Sequence, residues 1–304
     1  MCRILTYLGK PIVVEELLYK PDNSFIKQSY NPKYMSHLLN LAGFGMAAWD
    51  KASHNPEFPY LYKTPQLPFY DGNLRNLAAK ISPECLLAHL RGVAYHEKQI
   101  VSNQNVHPFV ITGSNIVLAH NGSLAHFDLM RYDLLEYIKP EFRQFIHGTT
   151  DSEWIYAVFL SQLPGLSDTY KTEEIITAVL ETLKILQAVR KKRNIKINSP
   201  VNLFVTNGEF IAATRFVLDY GWQAMDAMPS HTGYHSLWYT YGDHYGFYDN
   251  TYKMSGHSEK NSIIIASEPL TEDTTTWLEV PEYTLVIARR LGDEIKISSQ
   301  DINI

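Results

Sequence analysis

Residues 1–8 read MCRILTYL, an apolar run that starts at the second residue and ends before Gly9 and Pro11. A short apolar run closed by glycine and proline is typical of a strand, so we predict a strand over Arg3 to Leu8. Cys2 then lies at the start of a rigid element close to the N-terminus. This placement favours a fixed position for its thiol.

Removal of the initiator Met1 would leave Cys2 with a free α-amino group beside its thiol. An α-amino group titrates near ~7.7–8.0 and a lysine amine near ~10.4, so part of the α-amino population can accept the thiol proton near neutral pH. A deprotonated thiol is a good nucleophile. Taken alone, Cys2 also fits a buried small apolar residue or a lipidation site.

Length and composition are those of an ordinary globular protein. The 304 residues correspond to two average domains or to one large sandwich. A net charge of −5 argues against binding to nucleic acid or to an anionic membrane surface, and no apolar run reaches the roughly 18 residues that a membrane helix needs. The two cysteines, Cys2 and Cys85, fit a reducing compartment, so we expect a cytoplasmic protein.

The first third of the chain after Cys2 mixes regular and irregular segments. We predict a short helix over Tyr34 to Leu41, then a strand within Ala42 to Asp50 (AGFGMAAWD). Gly43 and Gly45 indicate either an ordinary turn or backbone that another segment approaches closely. Four prolines in Asn55 to Tyr70 predict an irregular loop.

Arg91 follows a predicted buried strand, Cys85 to Leu90 (CLLAHL). Such an arginine is either a surface charge or a side chain that binds a carboxylate through two parallel hydrogen bonds. Further along, Asn105 to Phe109 (NVHPF) is predicted to bend at Pro108. His107 beside the bend is either catalytic or, as we favour, a structural hydrogen-bond partner.

Asn121 and Gly122 follow a predicted strand, Ile116 to His120 (IVLAH). An Asn-Gly pair between apolar runs predicts a tight hairpin turn. The same pair can instead offer a side-chain amide and a backbone N–H at one point, which is the donor set of an oxyanion hole. Both interpretations are open from the residues alone.

Three helices are predicted in the middle of the chain, at Asp128 to Ile138, Asp151 to Leu163 and Thr172 to Arg193. The second begins with TTDSE, where Thr150 and Glu153 have the spacing of a capping box. Asp151 would then be a first-turn acid favoured by the helix dipole. The third helix carries a one-sided apolar stripe and is expected to pack on a sheet.

The last third returns to strands, predicted at Val201 to Thr206, Phe210 to Thr214, Ser262 to Ala266, Tyr283 to Arg289 and Glu294 to Ile297. Strands, then helices, then strands favour an α+β fold in which helices pack on sheets built from both ends of the chain. Thr232 to His257 holds six tyrosines and is predicted to form a polar aromatic lid or a partner surface. His231 and His235 lack an acidic or thiol partner, so no metal site is expected.

Cys2, Arg91, Asn121, Gly122 and Asp151 together resemble the catalytic set of the class II glutamine amidotransferases. The resemblance extends along the chain through MCRIL, GFG, AHLR, NVHPF, AHNGSL, TTDSE, TNGEFIAATR and ASEPLTEDTTTW, in that order. It is closest to the short stand-alone branch, which includes a γ-glutamyl amidohydrolase of ergothioneine biosynthesis and an amidotransferase-like subunit of glutathione degradation. The implied fold is a four-layer αββα sandwich of the N-terminal-nucleophile hydrolase type.

By this resemblance, Cys2 is the nucleophile and its α-amino group is the general base. Asn121 and the Gly122 N–H would stabilise the oxyanion of the tetrahedral intermediate. The thioester on Cys2 would then be hydrolysed to glutamate, after the amine has left. No cofactor and no metal are implied.

The resemblance also assigns the residues that bind the substrate. Arg91 would bind the α-carboxylate of a glutamine-like substrate and Asp151 would pair with its α-ammonium. His120 and Thr150, which stand next to members of this set in the sequence, are expected to line the same site. The substrate is therefore expected to be a small molecule, glutamine or a γ-glutamyl compound.

Two departures from the family pattern point to an altered leaving-group pocket. Ala94 stands where the family usually has threonine, and the loop around Gly45 lacks the acidic residue and second tryptophan of many relatives. We expect a single domain over residues 2–304 with a Tyr-rich insertion at about 232–258, and no synthase domain. Hydrolysis of a γ-glutamyl amide is therefore favoured over two alternatives, a glutaminase that supplies ammonia to a separate synthase or amidase subunit, and a non-catalytic binding or regulatory homologue.

Overall fold

The computed structural model describes residues 2–34, 39–93, 100–165, 170–218, 235–256 and 258–304. The predictions made for Met1, Ala94 and His231 lie outside these ranges. The six helices of the described chain are α1 (Glu15–Leu18), α2 (Gly72–Ala78), α3 (Phe127–Leu134), α4 (Pro140–Arg143), α5 (Asp151–Gln162) and α6 (Thr172–Lys192). None of the helices in these ranges is both long enough and apolar enough to cross a membrane.

The strands are β1 (Arg3–Leu8), β2 (Phe44–Trp49), β3 (Tyr60–Thr64), β4 (Cys85–Leu90), β5 (Val117–Gly122), β6 (Ser199–Thr206), β7 (Phe210–Arg215), β8 (Val217–Leu218), β9 (Trp238–Gly242), β10 (His244–Tyr248), β11 (Thr251–Ser255), β12 (Ser262–Ala266), β13 (Leu278–Glu279), β14 (Thr284–Leu291) and β15 (Glu294–Asp301). The predicted strand over Arg3 to Leu8 is confirmed, as are the strands predicted near residues 44, 85, 117, 201, 210, 262, 284 and 294. The three predicted helices in the middle of the chain are confirmed to within a few residues, because α3 ends earlier and a 3-10 turn over Leu135–Tyr137 follows it.

Two antiparallel sheets form the interior. One sheet has the strand order β13-β9-β12-β1-β4-β2-β3, and the other has the order β15-β14-β7-β6-β5 with β8 beside β6. Strand β1 is central in the first sheet, where it pairs with β4 on one side and with β12 from the last third of the chain on the other. The prediction that both ends of the chain supply strands is confirmed.

Three apolar clusters separate four layers. The first cluster packs α3, α5 and α6 on the β5-β6-β7 sheet, the second lies between the sheets, and the third packs α1, α2 and the β10–β11 hairpin on the β1 sheet. Because both faces of β1 and β4 are covered, their sequences are continuous apolar runs. Ile4, Ile263 and Ile265 are fully buried between the sheets, and burial of each side chain contributes roughly 1.5–3 kcal/mol. The fold is the four-layer α+β sandwich of the N-terminal-nucleophile hydrolases, as expected.

The irregular loop predicted for Asn55 to Tyr70 is wrong in part, because it contains β3. The four prolines flank Tyr60–Thr64 and do not interrupt it, and β3 pairs only with β2 at the edge of its sheet. An edge strand tolerates nearby proline, since one row of its N–H groups needs no partner. The composition of the whole segment hid the short proline-free run.

Two further predictions fail in the described residues. Tyr34 and residues 39–41 are not helical, and the middle of that predicted helix lies outside the described ranges. Most of the Tyr-rich segment forms strands β9, β10 and β11, not a lid. Tyr245 and Met254 of the hairpin are buried against the β1 sheet, so this hairpin belongs to an outer layer of the sandwich.

Candidate active site

Cys2 and Arg91 are neighbours across the β1–β4 pair. Arg3 pairs with Leu90, so the next residues outward along the two strands are Cys2 and Arg91. Their side chains share the face that carries Ile4 on β1, which is buried in the cluster between the sheets. Cys2 is 8% exposed, and its thiol lies 3.9 Å from the carbonyl oxygen of Gly92.

The guanidinium of Arg91 faces both Cys2 and Asp151. Burial lowers the pKa of Arg91, while the negative charges of a Cys2 thiolate and of the Asp151 carboxylate raise it. One of its nitrogens also donates to the carbonyl oxygen of Ile100 over 3.0 Å. The interpretation of Arg91 as a surface charge is therefore wrong, because the residue is only 3% exposed.

Asp151 begins α5 and ties it to the segment that follows β5. One carboxylate oxygen accepts from the Leu124 N–H at 2.6 Å, and the other accepts from the Ser152 hydroxyl at 3.1 Å. Leu124 follows Gly122 by two residues. The acid therefore holds the end of β5 beside the first turn of α5, which places Asn121, Gly122 and Asp151 on one side of the molecule.

The predicted capping box at the start of α5 is wrong. Thr150 occupies the N-cap position, but its side chain makes no capping hydrogen bond. Glu153 instead accepts from the backbone N–H groups of His147 and Gly148, at 3.2 and 2.6 Å. The loop before the helix folds back over the helix terminus, so its N–H groups reach Glu153 first. Within the described chain, the buried Thr150 hydroxyl has no hydrogen-bond partner.

Asn121 lies inside β5, paired with Asn202 of β6, so the predicted hairpin turn is wrong. By strand alternation its side chain shares the face of Val117 and Ala119, which pack between the sheets. An Asn-Gly pair requires a turn only when the flanking strands pair with each other, and here β5 pairs with the distant strand β6. The side-chain amide consequently points into the same space as Cys2 and Arg91.

The orientation of the Asn121 amide is set by two side chains. Its oxygen lies 2.9 Å from Nδ1 of His235, and its nitrogen donates to the hydroxyl of Ser267 over 3.2 Å. Burial lowers the pKa of His235 to about 3, so the imidazole is neutral and its Nδ1 carries the proton that the amide oxygen accepts. Ser267 also accepts from the Ile4 N–H at 2.9 Å, which links Asn121 to β1.

Gly122 leaves its backbone N–H on the outer side of β5. The Leu118 N–H donates to Phe109, away from β6, and the direction of N–H groups repeats every two residues along a strand. The N–H of Gly122 therefore also points away from β6. A Cβ at this position would overlap the carbonyl oxygen of Pro200 and approach Nε2 of His120 to 2.5 Å, so the position requires glycine.

Gly45 resolves the two interpretations of the glycine pair in favour of close approach. It lies within β2, and a Cβ there would overlap the carbonyl oxygen of His107. The NVHPF segment thus crosses β2 at backbone distance. His107 is buried with both ring nitrogens unpaired within the described chain, so its predicted role as a hydrogen-bond partner is wrong. Its ring instead packs on His89 and Phe109, with centroid distances of 4.1 and 4.5 Å.

His120 bridges β5 and α5. Its Nδ1 lies 2.9 Å from the Ser152 hydroxyl, and the residue is 1% exposed. Burial lowers its pKa, and the charge of the adjacent Asp151 raises it. His120 therefore lies next to Asp151 in space, as its prediction as a lining residue requires.

Four buried histidines make the stability of the fold sensitive to acid. Burial lowers the pKa of all four, namely His89, His107, His120 and His235. They are neutral in the folded state, whereas in the unfolded chain they protonate as the pH falls below about 6.5. We expect the free energy of unfolding to be unaffected by them above that pH and to fall by about 1.4 kcal/mol per pH unit for each histidine below it. Urea unfolding from pH 7.5 to 5 measures this slope.

A pair of variants separates the buried histidines from exposed ones. His107→Gln is expected to remove the share of one histidine from the slope, whereas exposed His54→Gln is expected to leave it unchanged. Equal slopes in the wild-type protein and in both variants would show that His107 does not stay neutral in the fold.

Arg3 and Glu268 were missed from the sequence. The Arg3 guanidinium donates to Glu268 at 2.7 Å and to the carbonyl oxygen of Cys2 at 3.2 Å, and both side chains are almost fully buried. Glu268 also accepts from the N–H groups of Lys33 and Tyr34. Together with Ser267 and His235 they hold the backbone and amide at the site, and the ASEPL segment that carries two of them was the available signal.

The four-layer fold, with a cysteine at the second residue of the central strand, defines the class of N-terminal-nucleophile hydrolases. A family model for the class II glutamine amidotransferases matches residues 61–303. The chain belongs to the class II glutamine amidotransferase family, whose enzymes hydrolyse an amide C–N bond, and the prediction of this family is confirmed.

Two characterised relatives carry the similarity in sequence. The probable glutamine amidotransferase DUG3 of Saccharomyces cerevisiae is 28% identical over 311 residues, which cover 95% of this chain and 82% of that protein. The γ-glutamyl-hercynylcysteine sulfoxide hydrolase of Mycobacterium tuberculosis is 31% identical over 123 residues, covering 40% of this chain and 49% of that protein.

Solved structures agree on the fold. A glutamine aminotransferase class-II domain protein from Silicibacter pomeroyi superposes with a TM-score of 0.62 at 18% identity, over 99% of each chain. The glutamine phosphoribosylpyrophosphate amidotransferase from B. subtilis has a TM-score of 0.59 at 14% identity, over the whole of this chain and 50% of that one. At these identities the likeness concerns the fold alone.

Proposed function

We propose that the protein hydrolyses the γ-glutamyl amide bond of glutamine or of a γ-glutamyl compound through a thioester on Cys2. The observation that carries the proposal is the position of the Arg91 guanidinium, which faces both Cys2 and the Asp151 carboxylate. A zwitterionic head group needs one fixed cation and one fixed anion within reach of the nucleophile. These three residues supply that set, and residues 2–304 would act as one catalytic domain.

Binding of the substrate would orient its γ-carbonyl. Arg91 pairs with the α-carboxylate through its planar guanidinium, and Asp151 accepts from the α-ammonium. The Thr150 hydroxyl and His120 lie at the same helix terminus and line the head-group site. Fixing the charged head at two points places the γ-carbonyl at a set distance from Cys2, which converts the attack into an intramolecular step.

The chemistry then proceeds on Cys2 after Met1 has been removed. The α-amino group takes the thiol proton, and the sulfur attacks the γ-carbonyl carbon. The oxyanion is stabilised by the Asn121 amide N–H and by the Gly122 backbone N–H. The C–N bond breaks, the amine leaves with the proton from the α-amino group, and water then cleaves the thioester to release glutamate.

The two characterised relatives support hydrolysis of a γ-glutamyl compound. One carries the name of a γ-glutamyl hydrolase, and the other, which aligns with 95% of this chain, is a probable glutamine amidotransferase. The neutral His235 beside Asn121 also supports the oxyanion role, because it fixes the amide nitrogen on the side of Cys2 and Ser267.

A glutamate-release assay tests the proposal. Protein whose mass shows removal of Met1 is incubated with glutamine, γ-glutamyl-cysteine, glutathione and a γ-glutamyl derivative of an aromatic amine, and free glutamate is measured. We expect release from at least one substrate, and no release by protein that keeps Met1, since its Cys2 nitrogen is an amide. Absence of release from every substrate by the trimmed protein would contradict hydrolysis. Release from glutamine alone, and only in the presence of a synthase, would instead identify an ammonia-supplying subunit.

A further inference from the structure

A second cavity lies on the far side of the His89–His107 pair from Cys2. Its volume is about 340 Å³, within the range of sites for small molecules. It opens between β3, the segment after His107 and α5. Most of its wall is apolar, formed by Leu61, Phe109, Ile111, Phe142, Tyr156 and Leu160.

Lys63 of β3 supplies the positive charge of this cavity. It pairs with Gly45 of β2, and its ammonium lies 5.3 Å from the centre of the Phe109 ring. Burial lowers the pKa of Lys63 to about 8. Across the described ranges, no carboxylate lies within 4.0 Å of this ammonium and no hydrogen bond is made by it. A partly buried ammonium without an ion-pair partner attracts an anionic ligand.

Glu153 is the one carboxylate among the residues that line the cavity, and it is already engaged. Its two oxygens accept from the backbone N–H groups of His147 and Gly148. Burial raises its pKa, and these two hydrogen bonds and the charge of Lys63 lower it. Glu153 therefore closes the loop before α5 and leaves the ammonium of Lys63 available to a ligand.

We infer that this cavity binds a small carboxylic acid whose apolar body packs on Phe109, Phe142 and Leu160 while its carboxylate pairs with Lys63. The ring of Phe109 holds the ammonium on one side through a cation–π contact, so the opposite side faces the ligand. The volume accommodates a phenyl or branched aliphatic group beside a single carboxylate. A larger or multiply charged molecule lacks both room and further cations.

This site is distinct from the one proposed for the γ-glutamyl head group. The cavity is lined by Lys63 and Glu153, whereas Arg91, Asp151 and Cys2 do not line it. Between them lie the stacked rings of His89 and His107. The inference therefore stands whether or not the protein is a hydrolase.

Isothermal titration calorimetry with phenylacetate tests the inference on the full chain. We expect a dissociation constant below about 1 mM, weakened at least tenfold, or about 1.4 kcal/mol, by Lys63→Met. Lys51→Met is the matched control, because Lys51 is an exposed lysine outside the cavity. Phenylacetamide, which has the same shape without the charge, is expected to bind wild-type protein at least about tenfold more weakly than phenylacetate.

Each outcome decides for or against the site. Unchanged binding by Cys2→Ser and in the presence of glutamate places the ligand outside the head-group site. The inference is overturned by lack of phenylacetate binding up to about 10 mM, by equal affinity for the acid and the amide, or by unchanged affinity in Lys63→Met. The comparison of the two probes uses wild-type protein, so it remains valid even if Lys63→Met fails to fold.

Discussion

Cys2→Ser is expected to lower kcat for glutamate release by about 10⁴-fold or more while leaving the affinity for substrate nearly unchanged. A serine hydroxyl is a far weaker nucleophile than a thiol near neutral pH, and the α-amino group is too weak a base to ionise it fully. The head group is bound by Arg91 and Asp151, which the substitution does not touch. Single-turnover kinetics and direct titration of a substrate measure the two quantities separately.

Cys85→Ser is the matched control for this prediction. Cys85 is fully buried between the sheets, burial raises its pKa to about 12, and its sulfur lies 3.4 Å from the Thr206 hydroxyl. It is therefore unreactive, and its replacement is expected to leave turnover within about threefold of wild type. Iodoacetamide should accordingly label Cys2 and spare Cys85. Full activity in Cys2→Ser would rule out the thioester route.

Arg91→Lys is expected to lower kcat/KM by about 100-fold, chiefly through KM. Lysine keeps the positive charge but presents a single point donor, whereas a guanidinium binds a carboxylate with two parallel hydrogen bonds. The loss corresponds to about 2.7 kcal/mol of binding energy at the head group. Initial rates over a range of substrate concentrations give the two constants.

The decarboxylated analogue of glutamine shows whether this loss arises at the α-carboxylate. Wild-type protein should turn it over far more slowly than glutamine, whereas Arg91→Lys should discriminate much less between the two. Arg75→Lys, at an exposed position on α2 where the guanidinium covers the Tyr19 ring, is the control and should behave like wild type. Equal penalties for the analogue in wild type and in Arg91→Lys would move the carboxylate site elsewhere.

The strands at the centre of the sandwich were predictable, and those at its edges were less so. β1, β4 and β12 are covered on both faces, so each forms a continuous apolar run that the sequence displays directly. β3 lies at an edge, is half exposed and is flanked by prolines, so it resembles a loop in sequence. The Tyr-rich hairpin of β10 and β11 was missed for a similar reason, because only one of its faces is buried.

Around the candidate site, the sequence identified the side chains and missed what holds them. Cys2, Arg91 and Asp151 have chemistry that is readable from residue type and from the family resemblance. His235 and Ser267 act through hydrogen bonds to Asn121 across residue separations of 114 and 146, which no local pattern encodes. Asn121 and Gly122 were read as a turn for the same reason, since their pairing strand lies about eighty residues further along the chain.

The sequence by itself determined the chemical groups of this protein and the layers of its fold, because side-chain identity and apolar periodicity are local properties of the chain. Only the tertiary structure decided that Arg91 is buried and faces both Cys2 and Asp151, and that Lys63 stands in a separate apolar cavity. The burial and the charged neighbours of these cations depend on strand register and on the packing of α5. Both arise from contacts between residues that are far apart in the sequence.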